Sequence, residues 1–439
     1  MKKKTQVILA SIFFALVFLF GINRIHAEDF SPEPLVKEAL DENPELKSIS
    51  FHIQSLQHKS KAVQKWMDPT LAVEYSNFPW DSWSMGESPM SGIQFKLQQT
   101  FSLPGKNARR EKVIKAEAYA MSFMLEEKRL QLAALIRRSY WNLTLVRQLA
   151  AITERHIGLI EQLVEVVRAK YQVGKVGQHD LMRLQLLQEK LKDDLADFNR
   201  QDQEVSAIIN AALHRKVRIK IETSESFESR MALLKTTDEL LQIAIEKRPM
   251  LKALQVKTQA LRLAAKQAQY ERWPDITFWL GYRIRRQAGM DNGTDQMTFG
   301  MALPLPFDYT GNAKAKYSMN ISEELAYEQE TELLLDRIGM ELERTRLKRQ
   351  RAVEKVVTYR DKLIPDAQRL RDSTLSAYQS DRADFATVYQ VELQLLEFER
   401  SLKIAESQIL IQDAALQALT GSDAIKKGNL GGQDANGAK

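Results

Sequence analysis

The sequence predicts a mainly α-helical chain that carries a membrane β-barrel, arranged as a two-fold repeat of helix, strand, strand, long helix and long helix. Three observations predict it. Four short runs alternate apolar with polar or small residues. Two very long segments are rich in helix formers and nearly free of breakers. Short motifs from the first half recur in the same order in the second.

The alternating runs are Thr70–Asn77, Gly92–Phe101, Asp275–Arg285 and Gln296–Leu305. Ile93, Phe95, Leu97 and Phe101 alternate with Gln94, Lys96, Gln98 and Thr100. Ile276, Phe278, Leu280, Tyr282 and Ile284 alternate with Asp275, Thr277, Arg283 and Arg285. Met297, Phe299, Met301, Leu303 and Leu305 alternate with Thr298, Gly300 and Ala302. Strand side chains point to opposite faces with period two, so each run carries one apolar and one polar face. Runs of about ten residues match a tilted strand crossing a bilayer. A soluble sheet with one face on a core would alternate in the same way. If the apolar face meets lipid, Gln94, Lys96, Gln98, Thr277, Arg283 and Arg285 line a wet lumen with some positive charge. Tyr75, Phe78, Trp80 and Trp83 then fall near the first external loop, where an interfacial aromatic girdle belongs. Four strands cannot close a barrel, and an open edge in lipid leaves backbone groups unpaired. A homotrimer would supply twelve strands, an even number within the known range.

The N-terminus reads as an export signal. Lys2, Lys3 and Lys4 precede an almost wholly apolar Val7–Phe20, and Ile25-His26-Ala27 offers a small-residue cleavage site, so residues 1–27 are expected to be removed. The leader holds four of the 63 basic residues and none of the 57 acidic ones, leaving about +2 on the rest, which gives no reason to invoke nucleic acid. The sequence has no cysteine, which excludes disulfides, a thiol nucleophile, a thiolate metal site and a lipidated N-terminal cysteine.

The repeat divides the chain. Asn43-Pro44-Glu45-Leu46-Lys47 recurs as Arg248-Pro249-Met250-Leu251-Lys252, and Asp68-Pro69-Thr70-Leu71 as Trp273-Pro274-Asp275-Ile276. Leu103-Pro104 recurs as Leu305-Pro306 and Tyr171-Gln172 as Tyr378-Gln379. The expected repeats are 28–214, with long helices near 106–172 and 178–214, and 236–421, with long helices near 313–379 and 385–420. A charged linker at 215–235 contains a short alternating piece, Val217–Ile221, and would pack around the middle of the helical body. A glycine-rich tail at 422–439 reads as disordered. At 1.5 Å per residue the longest helices would reach about 100 Å. Leu149, Ile152, His156, Leu159, Leu163 and Val166 form one stripe, and Ile157, Ile160, Val164, Val167 and Tyr171 form a second beside it. Two stripes let one helix pack on both sides, as a ring of helices requires; a dimeric coiled coil needs one seam. Leu181, Leu184, Leu191, Leu195 and Phe198 on the returning helix match Val388, Val391, Phe398, Leu402 and Ala405 in the second repeat. Pro365 and Gly158 occupy corresponding registers of the two long helices and are expected to change their curvature.

With its export signal, two-fold repeat, strand pairs and long helices, the chain resembles the TolC-type outer-membrane efflux channels over about residues 30–421. Its local marks are Asn43-Pro44-Glu45-Leu46, Leu103-Pro104-Gly105-Lys106, Tyr171-Gln172-Val173-Gly174, Ala302-Leu303-Pro304-Leu305-Pro306 and Ile364-Pro365-Asp366-Ala367. The Pro-Gly-Lys and Leu-Pro-Leu-Pro pieces look most like the heavy-metal efflux branch. The resemblance implies a trimer with a 12-stranded barrel in the outer membrane, continued into the periplasm of a Gram-negative cell by an α-helical barrel. It also implies a periplasmic adaptor and an inner-membrane transporter, with the RND type expected, which together export small molecules or metal ions.

In that architecture the hairpin tips, Val173–Gln178 and Ser380–Phe385, lie at the periplasmic aperture. Adaptor contact is expected at Tyr171, Gly174, Lys175, Val176, Gly177, Tyr378 and Ser380. Asp381, Arg382, Asp384 and Asp180 are the gate candidates, since acidic side chains repeated by three-fold symmetry would form cation-binding rings. A polar, solvated turn would look the same. Family members often carry an aspartate nine residues after the tip tyrosine; Asp180 keeps it and Thr387 replaces it.

No enzyme, cofactor or metal site is expected. The histidines lack metal-ligand spacing, His52 and His58 being six residues apart on one helix. Met85 and Met90 could meet a soft metal but read as filler. Three other readings remain open: the channel of a type I protein-secretion system, a non-membrane coiled-coil scaffold or DNA-associated filament, and an adaptor. An adaptor carries one helical hairpin within soluble β-domains, whereas two hairpins, each preceded by a strand pair, are expected here.

Overall fold

The computed structural model describes residues 31–82, 84–227, 234–304 and 308–422. The expected export signal, Trp83, the middle of the linker, Leu305-Pro306-Phe307 and the glycine-rich tail lie outside the described residues.

The helices are α1 Glu33–Glu42, α2 Pro44–Ala62, α3 Lys106–Gln172, α4 Gln178–Ala212, α5 Thr237–Lys247, α6 Pro249–Glu271, α7 Asn312–Thr358, α8 Ile364–Gln379 and α9 Phe385–Thr420. The strands are β1 Thr70–Ser76, β2 Gly92–Phe101, β3 Ile276–Ile284 and β4 Gln296–Ala302. Each repeat runs helix pair, strand pair, long helix, returning helix. Both second helices open on a proline, Pro44 and Pro249, where the missing N–H costs no helical bond. The linker forms no strand at Val217–Ile221. It lies against the middle of α3, where Arg147 donates to Ile221 O (2.8 Å) and Thr223 Oγ1 (2.9 Å), and the Tyr140 hydroxyl accepts from Ser224 N at 2.9 Å.

The strands make one antiparallel sheet in the order β1-β2-β3-β4, so among the described residues the outer edges of β1 and β4 are both unpaired. The register puts Thr70, Ala72 and Glu74 beside Gln98, Lys96 and Gln94. It puts Thr277, Gly281 and Arg283 beside Thr100, Lys96 and Gln94, with Ala302, Thr298 and Gln296 on the far side. Polar and small residues therefore share one face.

The helical body has a core in each repeat and a third toward the tips. Val36, Ala39, Ile136, Leu143, Ile209 and Ile221 fill one. Leu240, Leu251, Ile338, Leu342 and Leu416 fill its counterpart in the second repeat. Toward the tips, Ile160, Leu163, Val164, Val167, Leu184, Leu191, Tyr378, Phe385 and Val388 join all four hairpin helices. Both α3 stripes are used here, which one seam could not do. Helix α3 runs unbroken through Gly158, whereas a π-helical turn, Tyr359–Leu363, interrupts the second long helix just before Pro365. The Ile364 N–H reaches Tyr359 O, five residues back. This wider turn changes the hydrogen-bond register beside a proline that cannot donate.

Candidate functional site: the channel wall and the helical tips

Two places carry the residues singled out from the sequence: the sheet and the hairpin tips. On the apolar face of the sheet, Leu71, Val73, Tyr75, Phe95, Leu97, Phe278, Leu280, Tyr282, Ile284, Met297, Phe299 and Met301 are all exposed. A face this apolar, continuous across four strands, is not one a single soluble chain leaves to water. Aromatics mark both of its ends. Tyr75 and Phe78 stack at 5.4 Å near the β1–β2 loop, and Trp80 is exposed there. At the helical end Trp66 packs edge-on to Phe101 at 5.0 Å, and Phe101 on Phe278 at 6.0 Å. Sequence reading did not single out Trp66, although a tryptophan beside a lipid-patterned strand is itself an interfacial signal.

The expected lumen residues Gln94, Lys96, Gln98, Thr277 and Arg283 stand together on the polar face. Thr100 and Thr277 hydroxyls share a 2.9 Å hydrogen bond, and Arg283 donates to Gln94 Oε1 at 2.7 Å. Arg285 behaves differently. Just past β3, it pairs with Asp291 at 3.1 Å and donates to Pro89 O (2.7 Å) and Thr294 O (2.8 Å). Its charge ties the two strand-connecting loops together and is not free for the lumen. Trp279, which sequence reading missed, stands on this polar face among the lumen residues. The available signal was a tryptophan in polar register, paired with Gly300.

At the tips the two repeats keep one backbone. Gly174 and Asp381 occupy the same position and both have left-handed φ, +70° and +58°. Lys175 N–H bonds Lys170 O at 2.9 Å, as Arg382 N–H bonds Ala377 O at 2.8 Å. Each closes the helix with the six-to-one bond of a Schellman turn. Aspartate is among the few residues that tolerate this region. Here it is further held, because its carboxylate accepts from both Lys170 and Lys175 of the first repeat. Those hydrogen bonds, Lys170 first, hold the Asp381 carboxyl at about 2, well below the usual carboxylate value. Lys170 also donates to Tyr378 O at 2.7 Å and lies 4.4 Å from the Tyr378 ring centre.

The other tip residues sort by their contacts. Asp384 is the N-cap of α9, its Oδ1 accepting from Thr387 N at 3.0 Å and from the Thr387 hydroxyl. Those bonds, the hydroxyl's first, lower its pKa. Asp180 lies 3.2 Å from His179 Nε2. Arg382 donates to Ser380 Oγ at 3.1 Å. Asp381 and Asp384 therefore do not stand free as the expected acidic ring: one is clamped by lysines and the other caps a helix. Tyr171, Gly174, Lys175 and Ser380 are exposed, and Val176 and Gly177 are half-buried. Tyr378 departs from the expected docking surface, being only 2% exposed, with no partner for its hydroxyl; burial pushes its pKa up.

Above the tips, His156 on α3 is buried against α9. Its Nε2 lies 3.0 Å from Glu399 Oε2 and its Nδ1 3.5 Å from Glu392 Oε1. Burial lowers the imidazole pKa, but the two carboxylates together outweigh it and the net shift is upward. Among the described residues no group of three or more His, Asp or Glu side chains is arranged to hold a metal. No described helix is long and apolar enough to cross a membrane.

This geometry defines a class of fold: a four-stranded sheet with one exposed apolar face, continued by a long helical hairpin body. Residues 35–213 match the model of the family described as outer membrane efflux protein. The whole fold is similar to VceC, the outer membrane protein of the bacterial pathogen Vibrio cholerae. That match has TM-score 0.72 and 16% identity, covering 89% of this chain and 96% of that one. The fold is equally similar to CusC (TM-score 0.73, 14% identity, 92% and 96% covered) and to the CmeC outer membrane channel of Campylobacter jejuni (TM-score 0.72, 12% identity, 90% and 86% covered). No curated protein matches the sequence. The family model thus recognises the first repeat, and over nearly its whole length the chain has the fold of these solved outer membrane proteins.

Proposed function

We propose that the chain is the exit duct of a tripartite efflux pump, set in the outer membrane and reaching into the periplasm. The observation that carries this is the sheet: one face apolar and exposed, the other polar, and both edges open. Only closure with further copies satisfies those edges in lipid, and three copies give a twelve-stranded barrel. The protein supplies no chemistry. An inner-membrane transporter, of the RND type, drives export, and a periplasmic adaptor seats on the tips. Gating is a shift between closed and open tip arrangements. Within each chain the Lys170–Asp381–Lys175 clamp joins the hairpins of the two repeats, so adaptor contact at Tyr171, Lys175 and Ser380 acts next to the contact that holds them. The cargo is small molecules or metal ions; a type I secretion channel has the same wall and tips.

The deciding test is a susceptibility panel on a deletion strain, with secreted proteins analysed in parallel. Sensitivity to metals or organic compounds, restored by the intact gene, is the expected result. Loss of a secreted protein with unchanged susceptibility would move the channel to protein secretion.

A further inference from the structure

The polar face of the sheet carries an arrangement that the exit-duct reading does not require. The Lys96 ammonium lies 5.2 Å from the Trp279 ring centre, within cation–π range. The indole lies across the bare backbone of Gly300; a Cβ there would come within 2.3 Å of the ring. Gly300 thus leaves room for a large flat side chain to rest on the neighbouring strand. Arg283 stands on the same face, hydrogen-bonded to the neutral Gln94, which leaves its charge uncompensated. Glu74 on β1 is the acidic side chain of this face between the strand ends. Asp275 and Asp291, near the ends of β3, are taken by Lys106 and Arg285. Asp295, preceding β4, accepts from Arg285 N and the Tyr282 hydroxyl. Among the described residues, the open stretch of this face therefore carries two cations without a carboxylate partner, one acid and an aromatic plate.

We propose that this wall favours anionic, aromatic-bearing solutes over cations, with Lys96, Arg283 and Trp279 setting the preference. A bound organic anion would meet the ammonium with its charge and the indole with its ring, and neither group offers a donor atom to a metal ion. The inference rests on the reading of the sheet as a channel wall and goes beyond it to a class of cargo. It also runs against the metal-branch resemblance of the Pro-Gly-Lys and Leu-Pro-Leu-Pro pieces.

The absence of cysteine supplies a clean test. Gln98→Cys places one thiol on the polar face near Trp279, and Leu97→Cys places one on the apolar face. Each full-length protein, in outer membranes, is treated from outside with two methanethiosulfonates, one bearing a sulfonate and one a trimethylammonium. Rates are normalised to those with a free small thiol. The sulfonate reagent should modify Gln98→Cys severalfold faster. The preference should vanish or reverse when Lys96→Glu and Arg283→Glu are added. Naphthalene-2-sulfonate should slow the labelling, and Trp279→Leu should abolish that protection while methanesulfonate gives none. Thr298→Cys serves if Gln98→Cys fails to assemble. Equal rates, a faster cationic reagent, or a preference indifferent to Lys96 and Arg283 would overturn the proposal while leaving the duct intact. Labelling of Leu97→Cys as fast as Gln98→Cys would instead overturn the channel-wall reading itself.

Discussion

Asp381 combines a left-handed backbone with two lysine partners, and the two features can be separated by substitution. Asp381→Gly keeps the turn, since glycine pays no steric cost at positive φ, yet removes the clamp. Asp381→Asn keeps the tolerance of the region and removes the charge. If the clamp holds the tips together, both variants should raise leakage of a large antibiotic such as vancomycin, and Lys170→Met with Lys175→Met should match them. Leakage unchanged in all three would remove the clamp from the gate. The charge dependence has a definite sign. A carboxyl held at about 2 contributes its stabilisation above its ordinary value near 4, and loses it only as pH falls through about 2. Acidification of the periplasm to about pH 5 should therefore leave this contact intact.

At the scale of elements, the polar groups packed inside the hairpin bundle matter as much as its apolar stripes. His156 joins α3 to α9 through Glu392 and Glu399, and Arg349 on α7 pairs with Asp413 on α9 at 2.5 Å, both buried. A histidine whose pKa is raised on folding contributes fully below its unfolded value near 6.5, and the contribution fades as pH rises through the raised folded value. The thermal midpoint should thus fall as pH rises above about 6.5. His156→Gln should flatten that drop and lower stability mainly at the acidic end; an unaltered profile would show that another group carries it. The apolar half of this packing was legible in the sequence, because Leu163, Val167, Leu184 and Val388 follow helical spacing. Its polar half was not. His156 completes a stripe, but nothing local says that Glu392 and Glu399, more than two hundred residues away, will face it. Nor does spacing reveal that Lys170 and Lys175 clamp the carboxylate taken from sequence as part of an acidic ring. Pro365 was visible as a breaker, but the π-turn that accommodates it depends on backbone bonding that residue identity alone leaves open.

On the scale of the whole molecule, the sheet's alternation was readable because period two is a strictly local signal. Trp279 escaped it because its place depends on Gly300 across the strand pair. The same periodicity makes a sharp prediction about assembly. Phe299 is 75% exposed on the apolar face, and Thr298, its neighbour in β4, points the other way. A lysine in the middle of a lipid-facing strand costs about 2–4 kcal/mol, whereas a lumen-facing position is wet. In a trimer built from three such sheets, that cost is incurred three times over. Phe299→Lys should therefore reduce the heat-modifiable trimer recovered from outer membranes, and Thr298→Lys should leave it near the wild-type level. The adjacent pair controls for strand propensity and for synthesis, since only the direction of the side chain differs. Equal recovery of the two variants would mean that neither face meets lipid, and the barrel would have to be given up with it.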